Sequence, residues 1–330
     1  MEYRRLGKAG LKTSAFALGI WQTFAETIND ETAEAILKTA WENGIIHFDG
    51  AEAYGLPHGR GNADALLGKL LKKLAIPREE VILASKVSRT KNKEICRRGM
   101  NRKHIVECCE ATLKRMQTDH LDLFYCHAYD SEVEPEEVVT TMNWLQQQGK
   151  ILYWGTSNHP VAKLQEQWSV AAHLRMTGPS MEQCIYNMLY PRRVEDELQP
   201  VIQDQRMGIV AFTPLAGGIL TGKYNDGDLP EGSRFATVAR AQTEMEDWHK
   251  HIAIARAVSQ VAKDLGTTLT NLALAWTLRD PQVSCTILGA SKPQYIEENV
   301  HALDVVPRLT ANVQARIDQL IAKECEDAPA

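Results

Sequence analysis

Five side chains with chemical capacity sit at or near the ends of apolar runs. Asp49, Glu52 and Tyr54 fall within IIHFDGAEAYG, Lys86 in VILASKV, and His127 at the end of LDLFYCH. A phenol with a pKa of about 10 is a poor proton donor at neutral pH unless something stabilises its phenolate. A lysine does this by opposite charge, and a carboxylate beyond the lysine fixes its position and charge. Tyr54, Lys86 and Asp49 are the residue types those three tasks need. His127 can donate a hydrogen bond to a carbonyl oxygen or share the proton with Tyr54. A competing chemistry pairs Asp49 with Glu52 as glycosidase carboxylates. Those need a set separation across a sugar ring, which two residues in one loop seldom give, so Glu52 is expected to pack or cap locally. Taken singly, the aspartate could be a loop cap, the lysine could snorkel to water and the histidine could be structural. Their value lies in whether the chain brings them to one place.

The elements required for that are legible. YRRLG and LKTSA flank Lys8-Ala9-Gly10 as a small β-hairpin. Strands are predicted at FALGI, Ile45–Phe48, Val81–Val87, Leu121–His127, Ile151–Thr156, Met181–Tyr186, Ile209–Thr213 and Cys285–Gly289. Helices are predicted at ETAEAILKTAWENG (N-cap Asp30, Gly44 just past the end), Asn62–Leu74, Arg102–Met116, Pro135–Gln148 and Val161–Leu174. Further helices are expected at Glu197–Gln205, His251–Leu265, Asn271–Leu278, Tyr295–Leu303 and Ala311–Ala322. Strict alternation of eight strands with helices implies a parallel sheet closed into a (β/α)8 TIM barrel. A doubly wound open sheet is the alternative, weakened by GIWQTFAE standing where a GxGxxG would be. No linker composition divides the chain, which reads as one domain over 1–330. In a barrel the chemistry gathers at the strand ends: Asp49, Lys86, His127, Ser157 with Asn158, Gln183 with Tyr186, Thr213 and Ser291.

The bulk properties remove other classes. The chain has 330 residues, 44% hydrophobic and 24% charged, with a net charge of -5. That balance disfavours nucleic acid as the main partner. Seven cysteines without a CxxC pair indicate reduced, intracellular usage. MEYRRLGKAG has no leader character, the hairpin follows Met1 directly, and no apolar run reaches bilayer length. A cytoplasmic protein without membrane insertion is expected. His249 and His251 are spaced i, i+2, off a common helix face, and no metal motif is present, so no metal is expected. TPLAGGILTGKY and LGASKPQYIEEN are candidate phosphate-binding loops, with Lys223, Arg234 and Lys292 as charge donors, although both also suit ordinary turns.

The blocks NGIIHFDGAEAYG, ILYWGTSN, FTPLAGGILTGKY and GASKPQYIEEN together resemble the aldo-keto reductases. The resemblance is to the branch containing voltage-gated potassium channel β subunits and related microbial reductases, and it covers most of the chain. It implies a TIM barrel whose bottom is closed by the N-terminal hairpin, with extra C-terminal helices and a nicotinamide cofactor over the strand ends. It maps a catalytic tetrad onto Asp49, Tyr54, Lys86 and His127. Tyr54 would be the acid, Lys86 its pKa-lowering partner held by Asp49, and His127 the group that orients the carbonyl. Channel subunits commonly carry another residue at His127, so the chain looks more like a working reductase of small aldehydes or ketones. A channel-associated or redox-sensing subunit is the alternative. Ser157, Asn158 and Gln183 match carboxamide-binding positions, and Phe212 matches the aromatic that stacks on nicotinamide. Thr213, Pro214, Leu215, Ala216 and Gly217, with Lys223 and Arg234, match the pyrophosphate belt. Gly289, Ser291, Glu298 and Asn299 match the adenosine end, and Trp21 lies beside the site. Two departures stand out. Gly50 replaces the usual threonine, which should loosen the turn aiming Asp49. Tyr295 stands where relatives often place Arg or Gln, so NADPH is expected with NADH as the alternative. The substrate walls are expected in Ser88–Gly99, Tyr129–Glu134 and Asp226–Gln242. Homo-oligomers occur among relatives.

Overall fold

The apolar runs become strands and the amphipathic stretches helices in the computed structural model, which describes residues 1–55, 60–88, 95–237 and 247–326. The hairpin pairs β1 (Tyr3–Arg5) with β2 (Lys12–Ser14) antiparallel. The barrel strands are β3 (Phe16–Gly19), β4 (His47–Asp49), β5 (Ile82–Val87), β6 (Leu121–Cys126), β7 (Ile151–Ser157), β8 (Met181–Ile185), β9 (Gly208–Phe212) and β10 (Val283–Leu288). They pair in parallel and in sequence, and β10 returns to β3 to close the barrel.

Between strands run α1 (Asp30–Glu42), α2 (Asn62–Lys73), α3 (Arg102–Met116), α4 (Pro135–Gln147), α5 (Val161–His173) and α6 (Gln199–Gln205). After β9 come α7 (Arg234–Thr237), α8 (Trp248–Asp264) and α9 (Leu269–Leu278), and after β10 come α10 (Pro293–Val300) and α11 (Ala311–Glu326). The cap of α1 is Asn29, whose Oδ1 accepts from the Thr32 amide at 2.8 Å. Asp30, expected in that role, lies in the first turn, where its charge still suits the helix N-terminus. A wider turn over Arg193–Leu198 leads into α6. Among the described residues, no helix is long and apolar enough to cross a membrane.

Two hydrophobic layers follow from the period of two along each strand. Phe16, Leu18, Phe48, Leu83, Phe124 and Ile209 pack outward among the helices. Ala17, Ile82, Ala84, Leu123, Tyr125, Met181, Val210, Cys285 and Ile287 fill the interior, joined by Leu6 and Ala9 of the hairpin. The hairpin plugs the end where strands begin. The Lys8 amide donates to Arg206 O at 2.8 Å, just before β9, and the Gly7 amide to Ser284 Oγ at 3.3 Å on β10.

The inward parity continues past the apolar interior to the other end. On β5 it runs Ile82, Ala84, Lys86; on β6 Leu123, Tyr125 and then His127; on β8 Met181, Gln183; on β9 Val210, Phe212. His47 and Asp49 on β4, and Ser157 on β7, share their rows through the pairing register. One geometric rule thus aims these residues at the barrel mouth.

Candidate active site

Lys86 and Asp49 form the floor of the mouth, 0% and 3% exposed. Lys86 Nζ donates to Asp49 Oδ2 at 2.6 Å, to Gly50 O at 2.8 Å and to Tyr54 Oη at 3.4 Å. Three acceptors use the three donors of an ammonium. Burial alone would lower the Lys86 pKa, but Asp49 and Tyr54 outweigh it and hold the pKa above its ordinary value. The second Asp49 oxygen accepts from Gln183 Nε2 at 2.9 Å.

The turn after Asp49, where Gly50 stands, is held by backbone hydrogen bonds. The Gly50 amide donates to Ala84 O at 2.9 Å and the Glu52 amide to Lys86 O at 3.0 Å, which extends the β4–β5 ladder past the strand. A Cβ at position 50 would fall 2.2 Å from Asp64 Oδ1. Asp64, buried on α2, fills that space and accepts from Ser85 Oγ at 3.1 Å. Burial pushes its pKa up to about 6, against the pull of Arg115.

Tyr54 lies under Trp21, with ring centroids 6.2 Å apart, and edge-on to His127 at 5.8 Å. Lys86 does pull the phenol toward ionisation, as expected, but burial exceeds that pull and raises Tyr54 to about 12. The net effect is therefore a phenol held protonated. Burial, helped by Lys86, pushes His127 down to about 3, so its ring is neutral. Its Nδ1 lies 2.9 Å from Ser88 Oγ.

Glu52, expected to serve only locally, reaches much further. Its carboxylate meets Arg60 at 3.2 Å, His104 Nε2 at 3.3 Å and the Ser88 amide at 3.2 Å. His104 Nδ1 faces Gly99 O at 2.7 Å. Both partners of that ring are acceptors, so His104 is an imidazolium paired with a carboxylate. Burial works to raise the Glu52 pKa; the His104 hydrogen bond and charge, the Ser88 amide and Arg60 together bring it down to about 2.

The residues expected to hold a nicotinamide dinucleotide lie at and after the ends of β7, β8, β9 and β10. Ser157 is buried and Asn158 is exposed in the left-handed region at φ 50°, its amide donating to Gln183 O at 3.1 Å. Phe212 is half-buried against the interior cluster. Thr213 and Ala216 take φ 56° and 47°, and Gly217 and Gly218 take 68° and 99°. A Cβ on Gly218 would come within 2.8 Å of Lys223 Nζ, so the bare glycine lets that ammonium lie over the loop. The Arg234 guanidinium lies 5.1 Å from the Trp21 ring, across the mouth. Pro214 is buried and Leu215 half-buried in the same loop. Among the described residues, apart from its chain neighbours, no atom lies within 4 Å of a Cβ built on Gly289; Ser291 and Glu298 are exposed and Asn299 is buried on α10. Amide donors near Asp49, a left-handed turn under an ammonium, and an open glycine at β10 suit a carboxamide, a diphosphate and a nucleoside respectively. The residues present fit such a group.

Tyr186 is not part of the mouth. It is buried outside the barrel, donates to Glu195 Oε1 at 2.8 Å and packs on Trp276. Ser88, Asp64 and His104 were not singled out from the sequence, and neither was Asn187. The Asn187 Nδ2 donates to Thr213 O at 2.9 Å while its Oδ1 accepts from the Leu189 and Tyr190 amides. Of the expected substrate walls, residues 89–94 and 238–242 lie outside the described residues.

Residues 15–322 match the aldo/keto reductase family. A putative voltage-gated potassium channel subunit beta of Schizosaccharomyces pombe is 39% identical over 326 residues, spanning 97% of this chain and 93% of that one. A probable voltage-gated potassium channel subunit beta of Arabidopsis thaliana is 37% identical over 334 residues, 97% of each chain. One of the same description from Oryza sativa subsp. japonica is 35% identical over 328 residues, again 97% of each. The closed parallel barrel, the polar mouth and a match over nearly the whole chain agree: this chain belongs to the aldo/keto reductase family of oxidoreductases.

Proposed function

We propose that the protein reduces an aldehyde or ketone to an alcohol with NADPH, Tyr54 serving as proton donor. The observation that carries this reading is Lys86 Nζ bonded to Asp49 Oδ2 at 2.6 Å and to Tyr54 Oη at 3.4 Å, with all three side chains buried. When bound, NADPH supplies the hydride. The Tyr54 hydroxyl and a neutral His127 bind the carbonyl oxygen, as hydrogen-bond donors aimed at the charge that develops there. As that oxygen gains charge, Tyr54 Oη transfers its proton to it. An alkoxide is far more basic than a phenolate, so a phenol near 12 remains a competent donor. The phenolate left behind is stabilised by the Lys86 ammonium, itself held by Asp49. Ser157, Asn158 and Gln183 would grip the carboxamide. Thr213 to Gly217, with Lys223 and Arg234, would grip the diphosphate, and Gly289, Ser291, Glu298 and Asn299 the nucleoside.

The test is consumption of NADPH by purified protein across a panel of aldehydes and ketones. Tyr54→Phe should bind NADPH as the parent does and lose about 10²- to 10⁴-fold in kcat. Full turnover in that variant would remove Tyr54 from its role. A second reading, a channel-associated NADP(H)-binding subunit with little turnover, is favoured by the descriptions of the three relatives. Co-purification with a channel, together with no NADPH consumption on the panel, would make it the better one.

A further inference from the structure

His127 is supported by contacts that Asp49, Lys86 and Tyr54 do not make. Its Nδ1 faces Ser88 Oγ at 2.9 Å, and among the described residues that hydroxyl makes no other hydrogen bond. A neutral imidazole carries one N–H and one bare nitrogen, and the partner of one nitrogen decides which is which. With the serine proton directed at Nδ1, Nδ1 accepts and Nε2 carries the hydrogen. The reverse arrangement would leave the proton of a residue only 4% exposed without an acceptor.

The serine is itself held in place. Its amide donates to Glu52 Oε2 at 3.2 Å, while the Glu52 amide donates to Lys86 O at 3.0 Å. Glu52 therefore grips the segment carrying Lys86 and Ser88 at two points, and Arg60 and His104 keep its carboxylate ionised.

We propose that Ser88, clamped by Glu52, is a positioning residue that holds His127 as the Nε2–H tautomer and so presents that N–H to the substrate oxygen. The carbonyl-binding part of this rests on the carbonyl-reducing function proposed above; the tautomer assignment does not. Ring neutrality through the working pH range, with His127 pushed down to about 3, makes the tautomer the relevant variable.

The test is long-range nitrogen–proton NMR on the full chain labelled with ¹⁵N-histidine, the His127 signals being assigned by their loss in His127→Asn. Wild type and Ser88→Thr should show one tautomer, with the proton on Nε2, and Ser88→Ala a mixture. In parallel, Ser88→Ala should raise KM for the carbonyl up to about tenfold, leave NADPH affinity unchanged, and be rescued by Ser88→Thr. A Ser88→Ala spectrum still showing pure Nε2–H overturns the proposal, as does a wild type with the proton on Nδ1. A mixed spectrum in Ser88→Ala, with a wild type that reduces no carbonyl on the panel, upholds the tautomer assignment and overturns the carbonyl-binding role.

Discussion

The two halves of the barrel mouth are built on opposite plans. On the β4–β6 side the charged side chains at the strand ends are buried and held by named partners: Asp49 by Lys86 and Gln183, Glu52 by Arg60, His104 and the Ser88 amide. On the β9–β10 side the backbone turns through the left-handed region, and Lys223, Ser291, Lys292 and Glu298 are exposed. Burying charges costs several kcal/mol each, on the order of what a good partner returns, so the first plan contributes fixed geometry rather than surplus stability. Exposed cations are worth little individually but adjust readily to an incoming anion. Preorganisation belongs where bonds change, and adaptability where a long ligand must enter and leave.

The largest expected break of this contrast is Lys86→Met. It leaves Asp49 buried without its cation and should cost about 3–5 kcal/mol in urea unfolding, along with nearly all turnover; an unchanged midpoint would mean the ion pair does not organise this half. Next is acid. The Glu52 pKa is lowered to about 2 from an unfolded value of about 4.3. The stability it contributes is fully present above about pH 5 and is lost as pH falls toward 2, amounting to about 3 kcal/mol. Asp64, raised to about 6, works the other way, adding stability as pH falls from 6 toward 4. The Glu52 share is therefore read as the difference between wild type and Glu52→Gln across pH 7 to 2, and parallel curves would remove it.

Gly50→Ala sets a Cβ 2.2 Å from Asp64 Oδ1 and should cost about 1–3 kcal/mol by overpacking, with kcat falling as Asp49 is displaced. A silent substitution would show that Asp64 yields freely. The smallest effect is expected on the other side. Gly218→Ala, at φ 99° and against Lys223, should weaken NADPH binding about tenfold and spare kcat at saturating cofactor. A fall in kcat there would mean that the two halves are not separable.

Much of this was legible in the sequence because period-two strands carry their own addresses. Asp49, Lys86, His127 and Gln183 could be placed on one rim because each ends a strand of a parallel barrel, and the family blocks attached roles to them. The support behind them was not legible. Ser88 meets His127 across 39 residues, Asp64 meets Gly50 through a helix packed behind the strand, and His104 meets Glu52 from 52 residues away. The first pairing follows from the β5–β6 register, and the other two from how α2 and α3 rotate against the barrel, neither of which local pattern encodes. Tyr186 was placed on the rim by the strand-end rule, but it lies one residue past β8, and the parity of Met181 and Gln183 sends it outward to Glu195. The pull of Lys86 on Tyr54 was legible in sequence, but the depth of burial that outweighs it was not.

The inward row Ile82, Ala84, Lys86 also limits how the gene can change. One codon inserted between Ile82 and Lys86 would turn the lysine from the mouth into the helix layer and bring Ser85 or Val87 inward. Codons added beyond Gly99 leave that parity untouched. Variation in what this scaffold accepts is thus free to accumulate in loop lengths, while the lengths of β4, β5 and β6 stay locked by a rule of odd and even.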